Sequence, residues 1–289
     1  MTSITLRAPA KINLYLAVTG KEENGYHTVE TIMQAISLCD TVTVKKTPGE
    51  SFSLTCSVDA LPSDSNNLAW KAAMLYFDTL GIDDRCFSVY IEKHIPIAGG
   101  LAGGSTDAAA VLLALNHLHQ KTMTEDMLLS CSERLGMDVP FCLLAGMGIS
   151  TALGLHYGEN MQCLPTMPQM PLVIASAGEG VSTPWAYALI DASVQDPPMG
   201  YAHIRDTLQA ADSTALLASM YNCFEDVILP HRPAAAYCRS RLLSMDARRA
   251  MMSGSGPTVF GIFDTLAHAQ AACDSLCAEG IRAWTCTTI

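Results

Sequence analysis

The sequence predicts an α+β protein of two domains, each a two-layer α/β arrangement. Three observations carry this reading. The chain has 289 residues, near the size at which one hydrophobic core splits into two. Its first half opens on strand-like segments and then places a glycine-rich turn between a strand and a helix. Its second half runs β–α–β–β–α–β, the order of a ferredoxin-like domain with extra helices inserted. The expected boundary divides an N-terminal domain, residues 1–160, from a C-terminal one, residues 161–289, at a joint marked by Pro165, Pro168 and Pro171.

In the N-terminal half, strands are expected at 4–6, 12–18, 28–37 and 41–45, with Asn24-Gly25 as a tight turn. A helix follows from Asn67 to Leu80, closed by Gly81. Next come a strand over 86–94, the run Ile95 to Thr106 (IPIAGGLAGGST) and an alanine- and leucine-rich helix from Ser105 to His117. A further helix, Thr124 to Leu135, has Thr122 and Glu125 at capping-box spacing and Gly136 as its stop. In the C-terminal half, strands are expected at 172–176, 248–252, 258–263 and 281–286. Helices are expected near 184–189, 202–211, 232–244 and 266–278.

Composition limits what such a chain does. It is 49% apolar and 16% charged, ample for buried cores. A formal net charge of −11 argues against a nucleic-acid or anionic-membrane surface, and makes any phosphate site a local exception. No apolar run approaches the roughly 18 residues that span a bilayer, and the first residues lack a signal peptide's basic head, so a cytoplasmic protein is expected. Eleven cysteines without paired C-x-x-C spacing read as free thiols in a reducing compartment, and no metal site is expected from them.

The run at 95–106 carries the chemistry. Gly99, Gly100, Gly103 and Gly104 allow the backbone to approach a ligand closely. A helix starting there turns unpaired N–H groups and the positive end of its dipole toward an anion. Gly99, Gly104 and Thr106 match three positions of the G-x-x-x-x-G-K-[S/T] loop, but Ser105 replaces its lysine. The cradle lacks its own cation. Lys11, set in the apolar segment Ala8-Pro-Ala-Lys-Ile-Asn-Leu14, either supplies it or is an ordinary strand-end lysine reaching solvent; Lys93 and His94, just before the loop, either face the phosphates or snorkel at a strand end. Asp138, in Gly136-Met-Asp-Val-Pro-Phe141, is an acid on a stiff turn beside apolar residues, or a helix cap. Tyr26 and His27 follow the hairpin turn, where they either stack on a ligand base or decorate the turn.

Together, PAKINL at 9–14, PIAGGLAGGSTDAA at 96–109, DVPF at 138–141 and MSGSGPTVF at 252–260 resemble the GHMP kinases, a superfamily of small-molecule kinases. Lys11-Ile-Asn13 with Gly25-Tyr-His27, Asn66-Asn-Leu68, and Gly180-Val-Ser-Thr-Pro-Trp185 with Tyr187 are similar to the branch that phosphorylates a cytidine diphosphate-linked methylerythritol in non-mevalonate isoprenoid (terpenoid) biosynthesis. The resemblance covers essentially the whole chain. It implies the two-domain GHMP fold, ATP with Mg²⁺, and Lys11 and Asp138 as the catalytic pair. It also implies that Pro96, Ile97, Ala98, Gly99, Gly100, Leu101, Ala102, Gly103, Gly104, Ser105 and Thr106 wrap the ATP phosphates, with Asn67 near the adenine. Asn13, Tyr26, His27 and Thr183 would meet the substrate, His27 reading the cytosine.

The chain departs from the pattern in places. Ala98 and Ala102 stand where glycine is frequent, a harmless change if both have negative φ. Thr106 replaces a common serine and keeps the hydroxyl. His156 and Tyr157 stand where Gly-Arg is frequent, and no role follows for residues 151–159. The alternatives are a homoserine- or mevalonate-type kinase of the superfamily, which needs no Tyr-His pair for cytosine, and a non-catalytic nucleotide sensor, against which Lys11 and Asp138 both speak.

Overall fold

The computed structural model describes residues 2–157, 160–176, 178–193, 197 and 199–289. The chain divides into two compact units that interleave in sequence. Unit 1 is 1–10, 39–95 and 102–149; unit 2 is 11–38, 96–101 and 150–289. The later unit thus takes in two segments from earlier in the chain besides its long run from 150. Strands β1 (Ser3–Lys21) and β2 (His27–Lys46) belong in part to each unit. They replace the four short strands expected there, because the stretches between them carry no residue that must leave an extended backbone. The Asn24-Gly25 turn between them is present, with Gly25 at φ 85°.

In unit 1, β3 (Ser53–Cys56), helix α1 (Leu68–Leu80), β4 (Phe87–Glu92) and helices α2 (Gly103–Leu118), α3 (Glu125–Glu133) and α4 (Val139–Gly146) follow in order. The strands lie in the order β3-β4-β2-β1. In β4, Phe87, Val89 and Ile91 are buried and alternate with less buried Ser88, Tyr90 and Glu92, the period of a sheet with one covered face. Helix α1 buries Ala69, Ala72, Ala73, Tyr76 and Phe77, the spacing of a single helical face. Asn67 caps its start by accepting from Ala69 N at 2.9 Å, and Gly81 ends it in the left-handed conformation at φ 62°. The expected capping box on α3 is corrected. Thr124 is the cap, accepting from Met127 N at 3.3 Å, while the Thr122 hydroxyl donates to His119 O. Of the two expectations at 138–141, Asp138 takes the position before a helix and not a turn: Pro140 sits in the first turn of α4, where its missing N–H removes no bond.

Unit 2 continues with β5 (Thr151–His156), β6 (Asn160–Cys163), β7 (Pro171–Ser176), α5 (Thr183–Asp191), α6 (Tyr201–Gln209), α7 (Ser213–Ser219), β8 (Tyr221–Asn222), α8 (Phe224–Ile228), α9 (Pro233–Ser244), β9 (Arg249–Met252), β10 (Val259–Ile262), α10 (Leu266–Ala278) and β11 (Arg282–Thr287). Here β1 pairs in parallel with β8 at Tyr15↔Tyr221, and β2 pairs antiparallel with β5 from Val29↔His156 to Gln34↔Thr151. A separate antiparallel sheet has the order β11-β7-β10-β9. Taken as the four strands of this sheet, that is 4-1-3-2, the ferredoxin-like arrangement. Helices α9 and α10 bury Cys238, Leu242, Ala269, Ala272 and Leu276 against Val173, Ala175 and Val259. None of the eleven cysteines is in a disulfide. Among the described residues, no helix is long and apolar enough to cross a membrane.

Candidate active site

The glycine-rich run is held in two parts. Residues 96–101 belong to unit 2, where the 253–258 turn fits against them. Gly100 has φ 77°, and a Cβ there would lie well inside contact distance of the Ser253 carbonyl oxygen. A Cβ on Gly99 would lie 2.5 Å from Thr258 Oγ1. Ser253 Oγ donates to Gly100 O at 3.0 Å, and Lys11 N donates to Leu101 O at 3.1 Å. At Gly100 another backbone, and at Gly99 a threonine hydroxyl, occupies the space of a side chain.

Residues 102–106 belong to unit 1 and open α2. Ala102 stands at the cap without a side-chain bond to the helix, so the first-turn N–H groups of Gly103, Gly104 and Ser105 stay available to an anion. A Cβ on Gly104 would meet nothing within 4 Å. The Thr106 hydroxyl is buried without a hydrogen-bond partner. An orphaned hydroxyl beside open amide groups fits a phosphate and its cation. The condition set for the two alanines fails: Ala98 has φ 54° and Ala102 φ 59°. Each therefore sits where an L side chain crowds its own carbonyl, at a cost of about 1–2 kcal/mol.

Lys11 is buried, 4% exposed, although residues 8–10 and 12–14 around it carry no charge. Its Nζ donates to Asn13 Oδ1 at 2.8 Å, and the same oxygen accepts from Gly254 N at 2.9 Å. Asn13 Nδ2 donates to Thr31 Oγ1, which donates to Tyr15 O, each at 2.8 Å. The ammonium is thus aimed by a chain of satisfied donors rather than left to swing. A Cβ on Gly254 would come to 3.5 Å from it. Asp138, in unit 1, is half-buried at the position before α4, with φ −86° and ψ −14°; its carboxylate does not cap that helix.

Around the hairpin in unit 2, Tyr26 is 57% exposed and presents its ring to Tyr157 edge-on, at 5.8 Å between centroids. The Tyr157 hydroxyl donates to Glu22, which His156 Nε2 also meets at 2.9 Å. The stretch left without a role thus braces Tyr26, except for residues 158–159, which lie outside the described residues. The His27 ring stacks on Tyr187, with centroids 4.5 Å apart and planes 22° apart, and its Nε2 lies 2.6 Å from Asp191 Oδ1. Thr183 begins the helix that carries both partners. Asn67, in unit 1, donates to Pro62 O at 2.8 Å and has Cys56 Sγ at 3.9 Å.

Sequence reasoning missed one cluster. Lys93 does not reach outward. Its Nζ bonds Asp40 and lies 2.5 Å from Asp107 Oδ2, all three side chains being buried in unit 1. Burial alone would pull the ammonium down, but the two carboxylates more than offset this and leave its pKa above the ordinary value. His94 instead faces solvent beside Glu92 at 3.6 Å. The only available signal was a lysine and an aspartate flanking the loop, at 93 and 107. Among the described residues, no group of three or more His, Cys, Asp or Glu is placed to hold a metal.

The GHMP kinases N terminal domain matches residues 67–146, and the GHMP kinases C terminal domain matches residues 204–282. A protein of Alkaliphilus metalliredigens named 4-diphosphocytidyl-2-C-methyl-D-erythritol kinase is 36% identical over 276 residues, covering 96% of this chain and 93% of its own. One of the same name from Gloeobacter violaceus is 39% identical over 294 residues, covering 100% and 95%. The crystal structure of a 4-(cytidine 5'-diphospho)-2C-methyl-D-erythritol kinase superposes with a TM-score of 0.80 at 32% identity, over 98% of both chains.

Proposed function

Because the chain belongs to the GHMP kinases, and among them to the family of the 4-diphosphocytidyl-2-C-methyl-D-erythritol kinases, we propose that it transfers the γ-phosphoryl of ATP to the 2-hydroxyl of that cytidine diphosphate-linked methylerythritol. The observation that carries the assignment of roles is the buried Lys11 ammonium, fixed by Asn13 and Gly254 in a chain whose phosphate loop has no lysine of its own.

Phosphoryl transfer passes through a loose transition state with charge on the peripheral oxygens, so a protein contributes mainly position and electrostatics. The N–H groups of Gly103, Gly104 and Ser105 and the dipole of α2 hold the phosphates of ATP, with its adenine toward Asn67. Lys11 stabilises charge on the transferring group and orients the hydroxyl. Asp138 aligns that hydroxyl and accepts its proton late, since a carboxylate is a weak base for an alcohol. Asn13 and Thr183 bound the substrate, Tyr26 offers a ring to the base, and His27 reads it. Mg²⁺, when bound with ATP, neutralises phosphate charge. The Thr106 hydroxyl, buried without a partner, would be the oxygen that the protein offers to it. Cysteines held outside disulfides suit a reducing, cytoplasmic setting.

The test is a coupled assay of ADP release over a panel of alcohols. Turnover with the cytidine substrate is expected, and turnover with homoserine or mevalonate but not with it would overturn the reading. Lys11→Met and Asp138→Asn should each lower kcat by about a hundredfold or more, the scale of one preorganised electrostatic group. ATP binding, followed by nucleotide titration, should be retained. Near-normal kcat in either variant removes that residue from the mechanism.

A further inference from the structure

Helix α5 carries Thr183, Tyr187 and Asp191 at intervals of four residues, which sets them along one face. His27 lies against that face, its ring stacked on Tyr187 and its Nε2 bonded to Asp191 Oδ1. The other oxygen of Asp191 takes Lys21 Nζ at 2.5 Å. The His27 side chain is 9% exposed, whereas Lys21 and Asp191 are 48% and 37% exposed. An ion pair that open holds little stability. What it does hold is the carboxylate, in a place where the carboxylate holds the imidazole.

The His27 hydrogen bond first, and then Lys21, keep the Asp191 carboxyl below the usual carboxylate range. An ionised carboxylate only accepts, so the imidazole nitrogen that faces it carries the hydrogen. The other nitrogen, Nδ1, has no hydrogen-bond partner among the described residues. In the neutral ring it is then an acceptor of fixed direction. Cytosine presents an amino donor at the position where uracil presents a carbonyl oxygen. An acceptor rewards the first and repels the second.

We propose that Asp191 is a positioning residue that sets the tautomer and direction of His27, and through them the preference for a cytosine over a uracil base in the substrate. The base preference rests on the reading of His27 as the residue that meets the base; the tautomer does not. Tyr26, the other member of the pair, is braced separately by Tyr157.

The test uses the full chain with Asp191→Ala and Asp191→Asn, and Asp191→Glu as the conservative variant. Nitrogen-15 NMR of histidine-labelled protein reads the tautomer without substrate, with His27→Gln assigning the signal. The Nε2–H form is expected in the wild type, and a mixture in Asp191→Ala. In steady-state kinetics kcat/KM for the cytidine substrate should fall about tenfold, the scale of one charge-assisted hydrogen bond. The fall should come through KM, with kcat and KM for ATP retained. The ratio of cytidine to uridine substrate turnover should fall in parallel, and Asp191→Glu should recover part of it. An Nδ1–H wild-type signal, or an unchanged cytidine-to-uridine ratio in Asp191→Ala even with a lower Tm, overturns the proposal. The expected tautomer with no turnover of any cytidine substrate overturns the functional reading and the base preference with it, and supports the tautomer alone.

Discussion

Replacing Lys93 by methionine removes the ammonium from a buried cluster of unit 1 that holds two carboxylates. The side chains of Lys93, Asp40 and Asp107 are 5%, 0% and 4% exposed. Asp40 Oδ1 also accepts from His94 N and Ile95 N at 2.6 and 2.8 Å, whereas Asp107 Oδ1 has no partner. With every group ionised the cluster carries one net negative charge out of water. Burial is the main force that pushes the Asp107 carboxyl up to about 7, helped by Asp40 and opposed by Lys93. Removing the cation from such a cluster should cost about 3–5 kcal/mol, a large part of the roughly 5–15 kcal/mol that holds a domain folded. The loss should be full at pH 8 and much smaller at pH 5, where Asp107 takes up a proton instead. Asp107→Asn should be nearly neutral at pH 8, since it leaves one ammonium facing one carboxylate.

The wild type adds a sign that can be checked. The Asp107 pKa is raised from 3.8 to about 7 on folding, so the native state binds the proton more tightly. Its contribution to stability is complete below the unfolded value and is lost as pH rises through the folded one. Asp107→Asn should flatten that decline. Urea unfolding followed by circular dichroism at pH 5 and pH 8 measures all three proteins. A Lys93→Met protein within about 1 kcal/mol of wild type at pH 8, or one equally weakened at both pH values, would refute the charge argument.

Other substitutions test the loop. Gly100→Ala puts a Cβ against the Ser253 carbonyl at φ 77°; left-handed strain plus overpacking should cost about 2–5 kcal/mol, and a Tm within a degree of wild type would contradict it. Ala102→Gly should leave stability unchanged or raise it by up to about 1 kcal/mol, because release from φ 59° offsets the entropy of glycine. A loss of about 1 kcal/mol, as in the middle of a helix, would show that the alanine is unstrained.

Features written within a few residues were legible in advance. The stretch from Asn67 to Gly81 declared a cap, an apolar face and a stop, and α1 obeys all three. Asn24-Gly25 declared a turn, and the strand–glycine–helix run declared a loop that opens a helix at Gly103. The edge strand Ser53–Cys56, only four residues long, and the two-residue Tyr221–Asn222 gave too little periodicity to detect. Helix α4 was hidden because Val-Pro reads as a turn unless the proline falls in a first turn. The φ signs of Ala98 and Ala102 were invisible for a related reason: alanine does not ask for a left-handed backbone, so only neighbours can impose one.

Residue types that can do chemistry were thus present in the chain itself: a lone lysine among apolar residues, an acid beside Val-Pro-Phe, a tyrosine and histidine after a turn. Which partner each group meets was set by folding, since those partners stand far away along the chain. Asn13 meets Gly254 across 241 positions and His27 meets Asp191 across 164. Nothing local favours one such distant acceptor over another. The choice follows from strand register and helix placement, which depend on how all the apolar faces are buried at once.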